Sequence, residues 1–108
     1  MSNLFNEQEI SSDTVISVSQ ITKKIKSLLE PNLKNIWIKG EISNLRIQQS
    51  GHCYFSLKDN ESQIPCVFFN RYYIGCNFAL KEGLEINVLG DIVVYEPYGR
   101  YQISIKFL

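Results

Sequence analysis

The chain contains few of the residues from which catalytic, metal and disulfide sites are built. Its 108 residues include one histidine and three cysteines, and its formal net charge is zero. One histidine excludes a site of paired imidazoles, and an odd number of cysteines without a Cys-x-x-Cys spacing favours neither a disulfide framework nor a zinc site. Because no apolar run is long enough to cross a bilayer and no basic start precedes one, we expect neither a membrane partner nor a secretory signal.

Sequence motifs of enzymes are absent as well. The chain has no glycine-rich phosphate loop, no His-Glu-x-x-His and no nucleophile elbow. The carboxylates Asp59 and Glu61 fall in a predicted turn, where a solvated role is favoured over acid–base chemistry. Cys53 and Cys66 fall in apolar strand patterns and are predicted to be buried, and free thiols fit a reducing cytoplasm. We therefore predict a cytoplasmic segment without a catalytic residue, metal or cofactor of its own.

The residues that are present predict one small globular domain. Hydrophobic residues make up 44% of the chain, which is enough for a single core. The charge is unevenly distributed: residues 1–14 hold three of the 11 acidic side chains and none of the 11 basic ones. The remainder therefore has an excess of three positive charges. Residues 1–14 are predicted to be a disordered leader, and residues 15–108 the domain.

The first predicted element is a helix. Ser17 and Gln20 have the spacing of a capping box, and Pro31 is expected to end the helix. Apolar residues follow at helical spacing, at Val18, Ile21, Ile25, Leu28 and Leu29. We expect this apolar face to lie on the body of the domain. The lysines off the stripe, Lys23, Lys24 and Lys26, are interpreted as a solvated face in preference to a phosphate contact.

From residue 36 onward the apolar period changes to two, which predicts strands. The first begins at Ile36 and is followed by a loop over 43–52; the others are expected at 53–58, 64–70, 84–95 and 100–108. A turn is predicted at 59–62 and a loop or short helix over 71–83. A bulge is predicted at Gly90. A tight hairpin is expected after the fourth strand, with Pro97 presetting the turn and Gly99 at its exit. Five such strands predict a mainly β fold, a five-stranded Greek-key barrel of the OB-fold type, with an N-terminal α-helix.

The sequence supports a binding surface better than it supports a catalytic site. OB-folds bind ligands along strands two and three and with the loops after strands one and four. In these places the sequence interleaves cations with flat rings, which suits phosphate contacts and base stacking on single-stranded nucleic acid. The candidate residues are Trp37, Lys39, Arg46, His52, Tyr54, Lys58, Phe69, Arg71, Tyr98, Arg100 and Tyr101.

Structural roles stay open for several of these candidates. Trp37 is equally compatible with packing under the helix. Tyr54 is compatible with a cross-strand pairing with Phe69, and His52 with a turn. The tyrosines at 95, 98 and 101 are compatible with closing one end of the barrel.

Four motifs resemble, in order and spacing, the N-terminal domain of the exodeoxyribonuclease VII large subunit. They are SVSQIT at 17–22, IWIKGEISNL at 36–45, SGHCYFSLKD at 50–59 and YEPYGRYQ at 95–102. Residues 66–69 also resemble the third strand of that family. The resemblance covers residues 17–108.

The resemblance implies a function for a larger protein. Members of the family degrade single-stranded DNA from both ends to 5′-phosphorylated fragments in the bacterial cytoplasm, and a large subunit associates with several small subunits. Catalysis and small-subunit binding are implied for regions beyond this segment, and single-stranded DNA binding for the OB-fold domain. Two alternatives remain: an OB-fold module that positions the nuclease domain or subunits, and an RNA-binding OB-fold, since a 2′-hydroxyl distinguishes RNA.

Overall fold

The computed structural model describes residues 14–69 and 79–108. It contains one α-helix, α1 (Val18–Leu29), and five strands. The strands are β1 (Ile36–Ile47), β2 (Cys53–Lys58), β3 (Gln63–Phe68), β4 (Glu85–Tyr95) and β5 (Arg100–Phe107). Single 3₁₀ turns follow α1 at Glu30–Asn32 and β4 at Glu96–Tyr98. The predicted leader, apart from Thr14, and the predicted site residue Arg71 lie outside the described residues.

The five strands close into a barrel in the order β1-β2-β3-β5-β4, which confirms the predicted fold class. All neighbours are antiparallel except β3 and β5, which are parallel and pair at Cys66–Ile103 and Val67–Ser104. The first half of β1 pairs with β4 and its second half with β2. Each described strand therefore has a paired neighbour on both sides, although the pairing of β3 with β5 is short.

Alternate side chains of each strand fill the barrel. Phe55, Phe68, Ile103 and Ile105 are at most 2% exposed, and no polar or charged side chain is buried among the described residues. Burying each large apolar side chain stabilises the fold by about 1.5–3 kcal/mol. Cys53 and Cys66 lie in this core, as the strand patterns predict.

The strand register is broken where β4 passes β5. Gly90 pairs with Ile105 while the preceding Leu89 pairs with Phe107, so Lys106 is an extra residue, and the predicted irregularity at Gly90 is confirmed. A side chain at position 90 would meet the backbone of β5. The turn between β2 and β3 and the hairpin turn that begins at Pro97 are also confirmed, and the Gly99 N–H donates to the Glu96 carbonyl at 3.2 Å.

The predicted position of the helix is wrong. The capping box of Ser17 and Gln20 forms as predicted, but most of the apolar stripe is solvent-exposed: Val18 is 82% exposed and Leu28 61%, whereas Leu29 is half-buried. Polar contacts hold the opposite edge of the helix to the barrel. The Val94 N–H donates to the Glu30 carboxylate at 2.9 Å, and the ammonium of Lys26 lies 3.6 Å from the carboxylate of Glu96.

The glycine at position 90 provides a stability test. We expect Gly90→Ala to lower the free energy of unfolding by about 1–3 kcal/mol, because its Cβ would lie 2.5 Å from the Ser104 carbonyl oxygen in a filled core. Gly99→Asn is the control: position 99 has a φ of 56° and open space, and asparagine tolerates that conformation. Urea unfolding measures both changes, and equal midpoints for Gly90→Ala and the unaltered chain would contradict the close approach.

Candidate nucleic-acid interface

One extra residue in β1 sets the direction of Arg46. Ile42 points into the barrel, so uninterrupted alternation would also direct Asn44 and Arg46 inward. Asn44 instead adopts a φ of 55°, and the register with β2 shifts between Ser43 and Arg46. Leu45 then packs against the core, while Arg46 turns outward opposite Tyr54. The predicted loop after strand one is correspondingly shorter, because β1 continues to Ile47.

The bulge is fixed by the segment that leads into β4. The Leu45 N–H donates to the carboxylate of Glu82, and the Gly83 N–H donates to the Ile42 carbonyl at 2.9 Å. Gly83 itself has a φ of 79°, a backbone conformation that glycine adopts without strain. The position of Arg46 therefore depends on a carboxylate 36 residues further along the chain.

Arg46 belongs to a group that we call the front face, formed by Arg46, His52, Tyr54 and Phe69. The rings of His52 and Phe69 meet edge to face, with centroids 5.2 Å apart. They continue the outer row of β2 and β3, because the neighbouring Cys53 and Phe68 pair with each other and point inward. The alternative role of Tyr54, a cross-strand pairing with Phe69, is wrong: Tyr54 pairs with Val67.

A second group, the hairpin tip, consists of Tyr95, Tyr98 and Arg100. The tyrosine rings stack at 5.5 Å with an interplanar angle of 19°, and the Arg100 guanidinium lies 5.4 Å and 5.6 Å from their centroids. Tyr98 remains 73% exposed. This contact positions the arginine over two rings, and a cation over a ring contributes about 0.5–1 kcal/mol at exposed sites.

The front face and the hairpin tip lie at opposite ends of one outer surface. Tyr54 is level with the end of β3, whereas the parallel pairing of β3 and β5 brings Arg100 level with the beginning of β3. The neutral side chains between them are Ser56, Gln63, Pro65, Gln102 and Ser104; Val67, beside Tyr54, is only 2% exposed, and Lys58 borders the surface opposite Gln63. The arrangement is a largely neutral corridor with an arginine and aromatic rings at each end; the rings are exposed at the hairpin tip and half-buried at the front face.

The two predicted lysines of this region are engaged by carboxylates. The Lys39 ammonium lies 3.1 Å from Glu85, and that of Lys58 lies 3.9 Å from Glu41. All four side chains are well exposed, so each pair contributes little to stability, about 0–1 kcal/mol. The carboxylates reduce the positive potential available to a phosphate at Lys39 and Lys58.

Tyr101 and Trp37 lie apart from both groups. Tyr101 lines the mouth of the barrel beside Ile64, and it is 56% exposed. Trp37 is 60% exposed on the outer side of β1 and β4, and therefore does not pack under the helix. Given the strand order, that side is opposite the surface of β2 and β3. There Trp37, Leu89 and Phe107 form one cross-strand row. The row depends on strand register, so it cannot be recognised from the sequence alone.

The titratable groups of the site have structural roles. The pKa of the Asp59 carboxyl is lowered because it accepts hydrogen bonds from the N–H groups of Glu61 and Ser62, both at 2.9 Å. Burial raises the pKa of the Cys66 thiol to about 12, so this thiol is not a nucleophile at neutral pH. Within residues 14–69 and 79–108, no group of three metal-ligating side chains is present.

Comparison with known proteins identifies the barrel by sequence. Residues 16–108 match the family model described as OB-fold nucleic acid binding domain. Proteins named exodeoxyribonuclease 7 large subunit are also similar, which confirms the resemblance carried by the four motifs. The chain is 52% identical over 91 residues to that of Helicobacter pylori, 46% over 93 residues to that of Clostridium botulinum (strain Loch Maree / Type A3), and 39% over 106 residues to that of Geobacter sulfurreducens.

These relatives are much longer than the chain. The matches cover 83%, 84% and 98% of the chain, but only 22%, 23% and 23% of the three relatives. A solved structure, a putative aspartyl-tRNA synthetase from Leishmania major Friedlin, matches 97% of the chain and 22% of its own length, with a TM-score of 0.52 and 13% identity. That likeness concerns the fold alone.

In the described residues, no helix is long and apolar enough to span a membrane.

The backbone conformation of the bulge in β1 can be tested by substitution of Asn44. Asn44→Val places a β-branched side chain at a φ of 55°, and we expect it to lower the free energy of unfolding by about 1–2 kcal/mol. Asn44→Gly is the matched control, because glycine adopts this conformation without strain. Urea unfolding of the two variants decides the matter: equal losses would mean that the asparagine side chain, and not the backbone conformation, is what position 44 requires.

Proposed function

The chain belongs to the family of OB-fold nucleic acid binding domains, and from that membership we propose that it binds single-stranded DNA without base specificity. The observation that carries the proposal is the pairing of an arginine with aromatic rings at both ends of one largely neutral corridor, the rings being exposed at the hairpin tip and half-buried at the front face. Neither Arg46 nor Arg100 has an ion pair with an acidic side chain among residues 14–69 and 79–108. Both charges are therefore available to phosphates.

Aromatic rings that reach the solvent favour a single strand over a duplex. Bases in a duplex are stacked on each other, whereas those of a single strand can stack on Tyr54 and Tyr98, with about 1–3 kcal/mol per base. Every base has a flat face, so stacking of this kind does not depend on the base sequence of the DNA. In this proposal His52 and Phe69 extend the front face, while Lys39, Lys58 and Tyr101 border the corridor. Arg71 stays a prediction, because it lies outside the described residues.

The larger function rests on the relatives. We infer that the chain is the DNA-binding N-terminal part of a longer exodeoxyribonuclease VII large subunit, because its relatives bear that name and are about four times as long. In this proposal the barrel delivers a single strand to a nuclease domain elsewhere in the protein, which degrades it from both ends to 5′-phosphorylated products. The small subunit would bind regions beyond this barrel, and the barrel itself would not be catalytic.

DNA binding is testable by fluorescence anisotropy with a labelled oligothymidylate at several salt concentrations. We expect affinity to fall with salt, with a slope of about −0.7 per neutralised phosphate, and Arg46→Ala and Arg100→Ala each to reduce the magnitude of that slope by about 0.7. Tyr98→Ala should weaken binding about 5- to 150-fold, as expected from the loss of one stacking contact, and Tyr98→Phe should not.

Lys81→Ala is the matched control for charge, since Lys81 is exposed beside Trp37 on the far side of the barrel. A salt response that does not change between the arginine variants and Lys81→Ala would contradict the proposed path. An RNA oligomer of the same sequence that outcompetes the DNA would instead favour the RNA-binding alternative.

The row of Trp37, Leu89 and Phe107 favours a second candidate function, the positioning of other parts of a longer protein. Trp37 and Phe107 are 60% and 62% exposed, and Trp37 lines a groove of about 740 Å³ together with Leu84 and Leu108. Exposed aromatic side chains are enriched at protein interfaces. The proposed occupant is the remainder of the longer chain, because the relatives extend well beyond the matched region.

Trp37 is the only tryptophan of the chain, so its fluorescence reports on this row. We expect acrylamide to quench Trp37 readily in the barrel alone, and saturating single-stranded DNA to leave the quenching unchanged, because the corridor is on the opposite side. In the longer protein, the quenching should fall. Protection of Trp37 by DNA in the barrel alone would place Trp37 on the DNA path, as the sequence analysis predicted, and would contradict the second role.

A further inference from the structure

A basic depression lies on the edge of α1 that faces the hairpin tip. It has a volume of about 300 Å³ and is lined by Lys23, Lys26, Ser27, Glu30, Pro31 and Lys34. The first four of these recur at the spacing of one helix face, and Lys34 is brought beside them by the 3₁₀ turn. The three lysines therefore converge from two elements.

The acidic groups near this depression are already engaged. The carboxylate of Glu30 accepts the N–H of Val94, and that of Glu96 lies 3.6 Å from the Lys26 ammonium. Asp91 pairs with Lys106 at 3.2 Å and accepts the N–H of Asn35 at 2.8 Å. Lys23 and Lys34 have no ion pair among residues 14–69 and 79–108. The ammonium groups of Lys23 and Lys34 are thus outside any close ion pair, although the charge of Lys34 also contributes to lowering the pKa of the Asp91 carboxyl.

The depression continues the surface that the corridor begins. The contact of Lys26 with Glu96 connects it to the 3₁₀ turn of the hairpin tip, and Glu30 connects it to the end of β4. A strand that passes from the front face over Tyr98 and Arg100 meets the lysines of α1 next. The exposed apolar stripe of the helix lies on a different face, so it does not interrupt this path.

We propose that this depression is a second phosphate-binding segment, which holds the phosphodiester backbone of a single strand beyond the hairpin tip through Lys23 and Lys34. The inference rests on the proposed DNA-binding function and extends it from the barrel surface to the helix. Lys26 has a positioning role, because its contact with Glu96 fixes the helix beside the tip. The extended track predicts that a long oligomer gains contacts that a short one does not make.

The test compares oligothymidylates of about 6 and about 16 nucleotides, the range over which OB-folds bind a strand. We expect Lys23→Ala and Lys34→Ala each to reduce the magnitude of the salt slope for the long oligomer by about 0.7, and to leave the short oligomer unaffected. Lys24→Ala is the matched control, because it removes the same charge from the same helix outside the depression. Unchanged urea midpoints confirm that the variants fold.

The outcomes separate the two proposals. If Lys24→Ala has the same effect as Lys23→Ala, the helix acts only through its overall charge, and the second segment is wrong. Equal losses for the short and the long oligomer would overturn it in the same way. If the unaltered chain binds neither oligomer, the proposed DNA-binding function itself fails, and the segment fails with it.

Discussion

The register of β1 is the constraint on which the candidate site depends. Side chains of a strand alternate between the two faces, so one additional residue reverses the direction of all those that follow. The bulge at Asn44 makes that change between Ile42, which fills the core, and Arg46, which faces solvent. Without it, Arg46 would be directed into an apolar interior, where an unpaired charge is strongly unfavourable.

A second irregularity has the same effect on the other side of the barrel. The register shift at Leu89 and Gly90 lets Ile105 fill the core and Phe107 face outward, although both are odd-numbered residues of one strand separated by Lys106. Lys106 then reaches Asp91 and the side-chain oxygen of Asn35. The bulge in β1 thus directs Arg46 to the outer surface of β2 and β3. The register shift between β4 and β5 directs Phe107 to the outer surface of β1 and β4, where the apolar row lies.

Local patterns predicted the elements well, and tertiary relations poorly. The capping box, the period-two strands and the turn at Pro97 each depend on neighbouring residues, so the sequence alone contains enough information for them. The placement of the helix on the barrel does not follow from neighbouring residues. The stripe from Val18 to Leu28 has the spacing of a buried face, but Glu30 and Lys26 bind the barrel from the opposite edge. Hydrophobic spacing indicates that a face is suited to burial, and not which surface covers it.

The same distinction applies to the candidate binding residues. Cations and rings could be recognised from composition, but grouping them required strand pairings that the sequence does not state. Lys39 and Lys58 resemble Arg46 in the sequence, yet carboxylates of β1 and β4 lie beside both lysines. The guanidinium of Arg100 instead lies over two tyrosine rings, which leave its charge uncompensated. A neutral chain can therefore present a cationic path, because the carboxylates of Glu85 and Glu41 pair with the lysines beside that path, whereas Arg46 and Arg100 have no ion pair among the described residues.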